Sequence, residues 1–130
     1  MEPQKRKILV ADDDLAILDA LTLILEDAGY EVQTMSNGEG LQHIYHTDAD
    51  LLLLDIWLSG WNGKDICMTL KKAERTRHLP ILLFSASKET KALAREAGAD
   101  DFITKPFDID ELLGKIEQHL SSSSGLPPAV

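Results

Sequence analysis

Three apolar runs, Ile8 to Ala11, Leu51 to Leu54 and Ile81 to Phe84, constrain this chain more than any other feature. Each is hydrophobic at almost every position, so an extended strand built from it is apolar on both faces and must be covered from both sides. Two further segments, Tyr30 to Met35 and Asp101 to Ile103, mix polar with apolar residues and suit the edges of a sheet. Segments of helical period lie between them. Ile17, Leu21, Ile24, Leu25 and Ala28 recur at helical spacing, and Gly29 supplies the left-handed residue that ends such a helix. A short second helix is expected after Asn37, a third over about Lys64 to Lys72 with Ile66 and Leu70 on one face, and a fourth over Lys88 to Ala97, stopping at Gly98. The fifth starts from Asp108, whose carboxylate can cap it while Glu111 reaches back, and it buries Leu112, Leu113, Ile116 and Leu120.

Five alternating strand–helix units predict an α/β fold: one five-stranded parallel sheet, doubly wound through right-handed crossovers, with helices on both faces. Placing the two amphipathic strands at the edges gives the order 2-1-3-4-5, the flavodoxin-like arrangement. A chain of 130 residues can bury the core of one such domain and has no room for two. The domain is expected over residues 1–120. Residues 121–130 hold four serines, a glycine and two prolines without apolar period, and read as a flexible tail.

Charge and cysteine content exclude several functions. The net charge of −9 repels phosphate backbones and anionic lipid, so direct contact with nucleic acid or membrane is not expected. Cys67 is the only cysteine, which rules out an intramolecular disulfide and a cysteine-held zinc. The polar start, Met1 to Lys7, runs into only five apolar-leaning residues, too few for a signal peptide or a membrane span. A reducing, cytoplasmic setting fits.

In an open sheet of this order the chain reverses its winding between strands one and three, and ligands bind at the carboxyl ends of the strands flanking that point. The residues there carry chemistry. Asp12, Asp13 and Asp14 leave the first strand, Asp55 leaves the third, Ser85 and Ala86 leave the fourth, and Lys105 and Pro106 follow the fifth. Carboxylates converging from adjacent strands repel unless a cation or a proton intervenes, and an oxygen-only, partly hydrated site favours Mg2+. A single lysine beside the acids can neutralise further negative charge, and a hydroxyl can donate to it. Nucleophile, metal, cation and donor together describe the transfer of a phosphoryl group to a carboxylate.

At these positions the chain resembles the receiver domains of bacterial two-component response regulators, the superfamily typified by the chemotaxis protein CheY. The resemblance runs from Lys7 to about Leu120 through Ile8-Leu9-Val10-Ala11-Asp12-Asp13-Asp14, Leu52-Leu53-Leu54-Asp55, Phe84-Ser85-Ala86 and Phe102-Ile103-Thr104-Lys105-Pro106-Phe107. It implies that Asp55 is the phosphoacceptor, Asp13 a direct Mg2+ ligand, Asp12 an acid acting largely through metal-bound water, and the main-chain carbonyl of Trp57 a further ligand. It implies that Ser85 is the switch hydroxyl, Phe102 the aromatic that turns with it, and Lys105 the cation that pairs with the phosphoryl group, with Lys105–Pro106 in the cis form. The implied donor is a phosphohistidine on a sensor histidine kinase or a histidine phosphotransfer protein. The implied output face is helix four, strand five and helix five, which can also form a homodimer. Such a domain is a signalling module that catalyses its own phosphorylation and dephosphorylation rather than a turnover enzyme. It is either a stand-alone phosphorelay intermediate or a receiver cut from a longer chain. Two positions depart from the family's pattern: Ser59 stands where proline is common in the loop after Asp55, and Ser85 where threonine is common.

Plainer roles compete at several residues. Asp14 is read as a helix cap, the commoner role for an acid in that place. Phe102 can simply cover the core at a sheet edge, and Cys67 is expected to be packed and unreactive. His43, His46, His78 and His119 are scattered, and surface or helix-end positions suit them better than metal binding. Trp57, two residues past the phosphoacceptor, either shields a phosphoryl group from water or lies on the surface. A phosphatase of haloacid-dehalogenase type would need an acid where Trp57 stands. A flavodoxin-like electron carrier would need a phosphate loop in place of Asp12 to Asp14, and a dinucleotide site would need glycines there.

Overall fold

The computed structural model describes residues 5–36, 41–58, 61–86 and 88–122. Seven strands and five helices follow in order: β1 (Lys7–Ala11), α1 (Leu15–Asp27), β2 (Glu31–Met35), α2 (Leu41–Tyr45), β3 (Leu51–Asp55), β4 (Trp57–Leu58), β5 (Trp61–Asn62), α3 (Gly63–Lys72), β6 (Ile81–Ser85), α4 (Thr90–Ala97), β7 (Asp101–Thr104) and α5 (Ile109–Ser122). The main sheet has the order β2-β1-β3-β6-β7 with every pair parallel. That is the expected 2-1-3-4-5 once the two-residue strands β4 and β5 are set aside. They pair only with each other, antiparallel, and were not anticipated, because two residues are too few to show any period.

The two-faced character of the apolar runs is borne out by the core. On β1, Ile8 and Val10 join Leu51, Leu53, Leu82 and Phe84 against Leu18, Leu21 and Leu25 of α1 and Leu112 and Ile116 of α5. The alternate residues Leu9 and Ala11 join Leu52, Leu54 and Leu83 against Ile66 and Leu70 of α3 and Ala94 of α4. Every residue of β3 and β6 is buried, whereas the outer strands β2 and β7 are partly open to solvent.

Helix ends follow local chemistry. Asp14 caps α1, its Oδ1 accepting from the main-chain nitrogens of Ala16 at 3.0 Å and Ile17 at 3.3 Å. The chain leaves α1 through Gly29 at φ 99° and α4 through Gly98 at φ 78°, both left-handed. Three expectations at helix ends need correction. α4 starts at Thr90 rather than Lys88, the two preceding residues forming a turn. At α5 the Glu111 nitrogen donates to Asp108 Oδ1 at 3.1 Å, but the Glu111 carboxylate faces Lys115 at 3.6 Å, one turn along the helix, instead of reaching back. α5 also continues through Ser121 and Ser122, the first two residues of the expected tail. The rest of that tail, Asn37, and Ser59 and Gly60 of the departing loop lie outside the described residues.

Candidate functional site

The carboxyl ends of β1, β3, β6 and β7 bring the sequence-predicted residues to one edge. Asp55 is the last residue of β3, Ser85 the last of β6, Asp12 and Asp13 directly follow β1, and Lys105 directly follows β7. Burial divides them. Asp12 has no exposed surface and Asp55 is 6% exposed, whereas Asp13 is open to solvent. Carboxylate oxygens of these three acids lie within 4.8 Å of one another.

Lys105 holds this negative cluster together. Its Nζ lies 2.9 Å from Asp12 Oδ2 and 3.7 Å from Asp55 Oδ2, and 4.7 Å from the centre of the Phe84 ring, which supports the ammonium from behind. The Lys105–Pro106 peptide is cis. The Lys105 main-chain nitrogen donates to the Ser85 carbonyl at 2.9 Å, tying the lysine to the end of the neighbouring strand. Asp12 Oδ1 accepts from the Asp14 nitrogen at 2.8 Å, and Asp55 Oδ1 from the Trp57 nitrogen at 3.2 Å. Burial pushes the Asp55 carboxyl up to about 6, and the nearby charge of Asp12 adds to the rise. The Trp57 N–H and the Lys105 ammonium pull the other way.

The donor set suits a hard divalent cation. All three side chains offer oxygen only, one of them is exposed enough to leave room for water, and their mutual repulsion falls when a cation is shared. The site can therefore present a carboxylate nucleophile, a fixed ammonium and a cation-binding acid pair to an incoming anion.

Other expected residues are placed as follows. Ser85 is buried at 2% exposure, and Phe102 is half-buried in β7, packed against the core on the α3–α4 side. Trp57 is 55% exposed, while its main-chain nitrogen is bound to Asp55. Cys67 is fully buried, and burial pushes its thiol up to about 12, so it is the packed, unreactive residue expected. His119 sits near the end of α5 as expected, and its Nε2 lies 2.9 Å from Asp101 Oδ2.

Two features near the site escaped the sequence reading. Gly63 packs directly against the Asp55 main chain, where a Cβ would fall on the Asp55 main-chain oxygen and 2.7 Å from Ile56 Cα. Its place in a glycine-bearing loop was the available signal. Lys115 reaches Phe102 and Asp101 from α5, and no spacing in the sequence announces it.

The fold and the acid cluster define a response-regulator receiver, and sequence comparison agrees: the profile of the response regulator receiver domain matches residues 8–117, and the chain belongs to that family. It is 36% identical over 126 residues, 95% of this chain and 52% of the relative, to the DNA-binding dual master transcriptional regulator RpaA of Synechocystis. This chain spans about half the length of the curated relatives it matches. Among solved structures it is similar to a CheY-like response regulator receiver domain protein from Methanospirillum hungatei, with TM-score 0.83, 34% identity, and coverage of 93% of this chain and 98% of that one. It is also similar to the signal receiver domain of a signal transduction histidine kinase from Syntrophus aciditrophicus, with TM-score 0.85, 27% identity, and coverage of 96% and 97%. The chain is thus a signal-transduction module of two-component systems. Among the described residues no helix is long and apolar enough to cross a membrane.

Proposed function

We propose that this chain accepts a phosphoryl group on Asp55 from a phosphohistidine of a sensor kinase or phosphotransfer protein. The observation that carries this is the meeting of Asp12, Asp13 and Asp55 within 4.8 Å, with Lys105 at 2.9 and 3.7 Å from two of them. Asp55, with its carboxyl raised to about 6, is mostly ionised at neutral pH and can attack phosphorus. A P–O bond to its carboxylate forms as the P–N bond to the donor imidazole breaks, and positioning supplies much of the rate. Mg2+ held by Asp12, Asp13, Asp55 and the Trp57 carbonyl would neutralise charge on the phosphoryl oxygens. Lys105 moves its ion pair to the new phosphoryl group, the Ser85 hydroxyl donates to it, and Phe102 turns inward.

Those changes shift a two-state equilibrium on the face of α4, β7 and α5, which then meets a target or a second copy of the chain. The acidic surface keeps nucleic acid and membrane out of the direct contacts of residues 1–120, and the reducing cytoplasm is the setting. The test is intact-mass spectrometry after incubation with acetyl phosphate. One phosphoryl group is expected with Mg2+, none with chelator, and none in Asp55→Asn. Undiminished labelling of that variant would move the acceptor elsewhere.

A further inference from the structure

β7 is an edge strand, paired with β6 on one side only. Its residues alternate between the two cores: Phe102 packs with the α3–α4 side, and Ile103 with the α1–α5 side. Lys115 belongs to α5, yet it reaches round the open edge to Phe102. Its Nζ donates to the Phe102 carbonyl at 2.6 Å and stands 4.5 Å from the centre of the Phe102 ring. Asp101 anchors that ammonium through Oδ1 at 3.2 Å, and the same oxygen accepts from the Phe102 nitrogen at 2.8 Å. Asp101 Oδ2 meets His119 at 2.9 Å, one turn further along α5, and Glu111, one turn earlier, lies 3.6 Å from Lys115. The lysine is therefore fixed by three oxygen partners that do not depend on the ring.

We propose that Lys115 is the positioning residue that latches Phe102 in its half-exposed place, so that the strength of this contact sets how readily the receiver switches. The inference rests on the reading that Phe102 turns when Asp55 is phosphorylated. Turning removes the ring from the ammonium, while Asp101, Glu111 and the Phe102 carbonyl continue to hold Lys115. The loss thus falls on the unswitched state alone. A contact between an ammonium and a ring near the surface changes a two-state equilibrium by about two- to fivefold. By reciprocity, a ligand that favours the turned ring binds more weakly by the same factor while the latch is intact.

The experiment uses the whole chain with isotope-labelled phenylalanine rings, observed by NMR during titration with beryllofluoride and magnesium as the phosphoryl mimic. The chain has three phenylalanines, and the Phe102 signals are those lost in Phe102→Leu. In the native chain those signals should move on saturation. In Lys115→Met, which keeps the aliphatic stem, they should lie partway to the saturated position before any mimic is added, and half-saturation should come at about two- to fivefold lower mimic. Lys115→Arg should restore both. Asp101→Asn, which takes the charge from one of the three oxygen partners that hold the lysine and leaves the ring unchanged, should shift more weakly in the same direction as Lys115→Met, and it serves if the methionine variant does not fold. If Phe102 moves in the native chain but neither variant displaces it nor changes half-saturation, the latch is overturned and the switch stands. If Phe102 does not move in the native chain, the switch itself is overturned, and the latch with it.

Discussion

Asp12 is a carboxylate with no contact with water, and the ammonium of Lys105 at 2.9 Å is what makes that tolerable. Removing one partner of such a pair leaves an uncompensated buried charge, a loss of about 3–5 kcal/mol where burial is complete. Lys105→Met should therefore melt well below the native chain in chelator, on the order of 10 °C lower for a domain of this size. Added Mg2+ should close part of the gap, because a divalent cation supplies the missing positive charge to the same acids. A gap of equal size in chelator and in Mg2+ would show that Lys105 is not their counter-charge. The principal site residues, Asp12, Asp13, Asp55 and Lys105, were legible because each stands at or just past the end of an expected strand, and the fold places those ends on one edge. The Phe84 ring beneath Lys105 and the pairing of His119 with Asp101 were not. Those contacts depend on the reach of side chains across strands, which neither period nor spacing encodes.

Residues 55–58 and 61–63 pair with one another and shape the surroundings of Asp55. The Trp57 nitrogen binds the Asp55 carboxylate, β4 and β5 pair Trp57 with Asn62 and Leu58 with Trp61, and the Gly63 nitrogen donates back to the Ile56 carbonyl at 2.6 Å. Asn62 then caps α3 through Lys64. Because the atoms that would meet a Cβ at Gly63 are all main chain, they cannot give way cheaply. Gly63→Ala should cost about 1–3 kcal/mol in urea unfolding and slow acetyl phosphate labelling, since the Asp55 peptide must shift to admit the methyl group. Native labelling and stability together would show that the close approach is not needed. The same residues would set the surroundings of a phosphoryl group on Asp55. Trp57 is pinned to Asp55 by its main chain, and its indole offers no carboxylate or amide to orient an attacking water. Trp57→Asn should lose its phosphoryl group several-fold faster in saturating Mg2+, measured as decay of the purified phosphoprotein. An unchanged decay would leave the indole, 55% exposed, as a surface residue only.

At the scale of the whole molecule, topology was legible because three two-faced apolar runs admit only a covered parallel sheet, and two mixed strands fix its edges. The energetic tension between that fold and its site was legible only in part, since burial of Asp55 is a property of the assembled sheet. Its carboxyl is raised from 3.8 to about 6 by burial, with Asp12 adding to the effect. Between those two values the native state binds more protons at Asp55 than the unfolded chain does, so this group's contribution to stability is full below 3.8 and is lost as pH rises through 6. One pKa unit corresponds to about 1.4 kcal/mol, so the loss is on the order of 1–3 kcal/mol, or several degrees in melting temperature. Other acids, Asp101 among them, are held low by their partners and act in the opposite sense, so the native chain alone does not isolate the effect. Comparison with Asp55→Asn does. In metal-free buffer the melting temperature of the variant minus that of the native chain should be small near pH 4 and should climb to a plateau above pH 6.5. With Mg2+ present the climb should shrink, because the ionised Asp55 then shares its charge with a cation. A difference that stays flat from pH 4 to 7.5 without metal would mean that the folded protein imposes no penalty on the ionised Asp55.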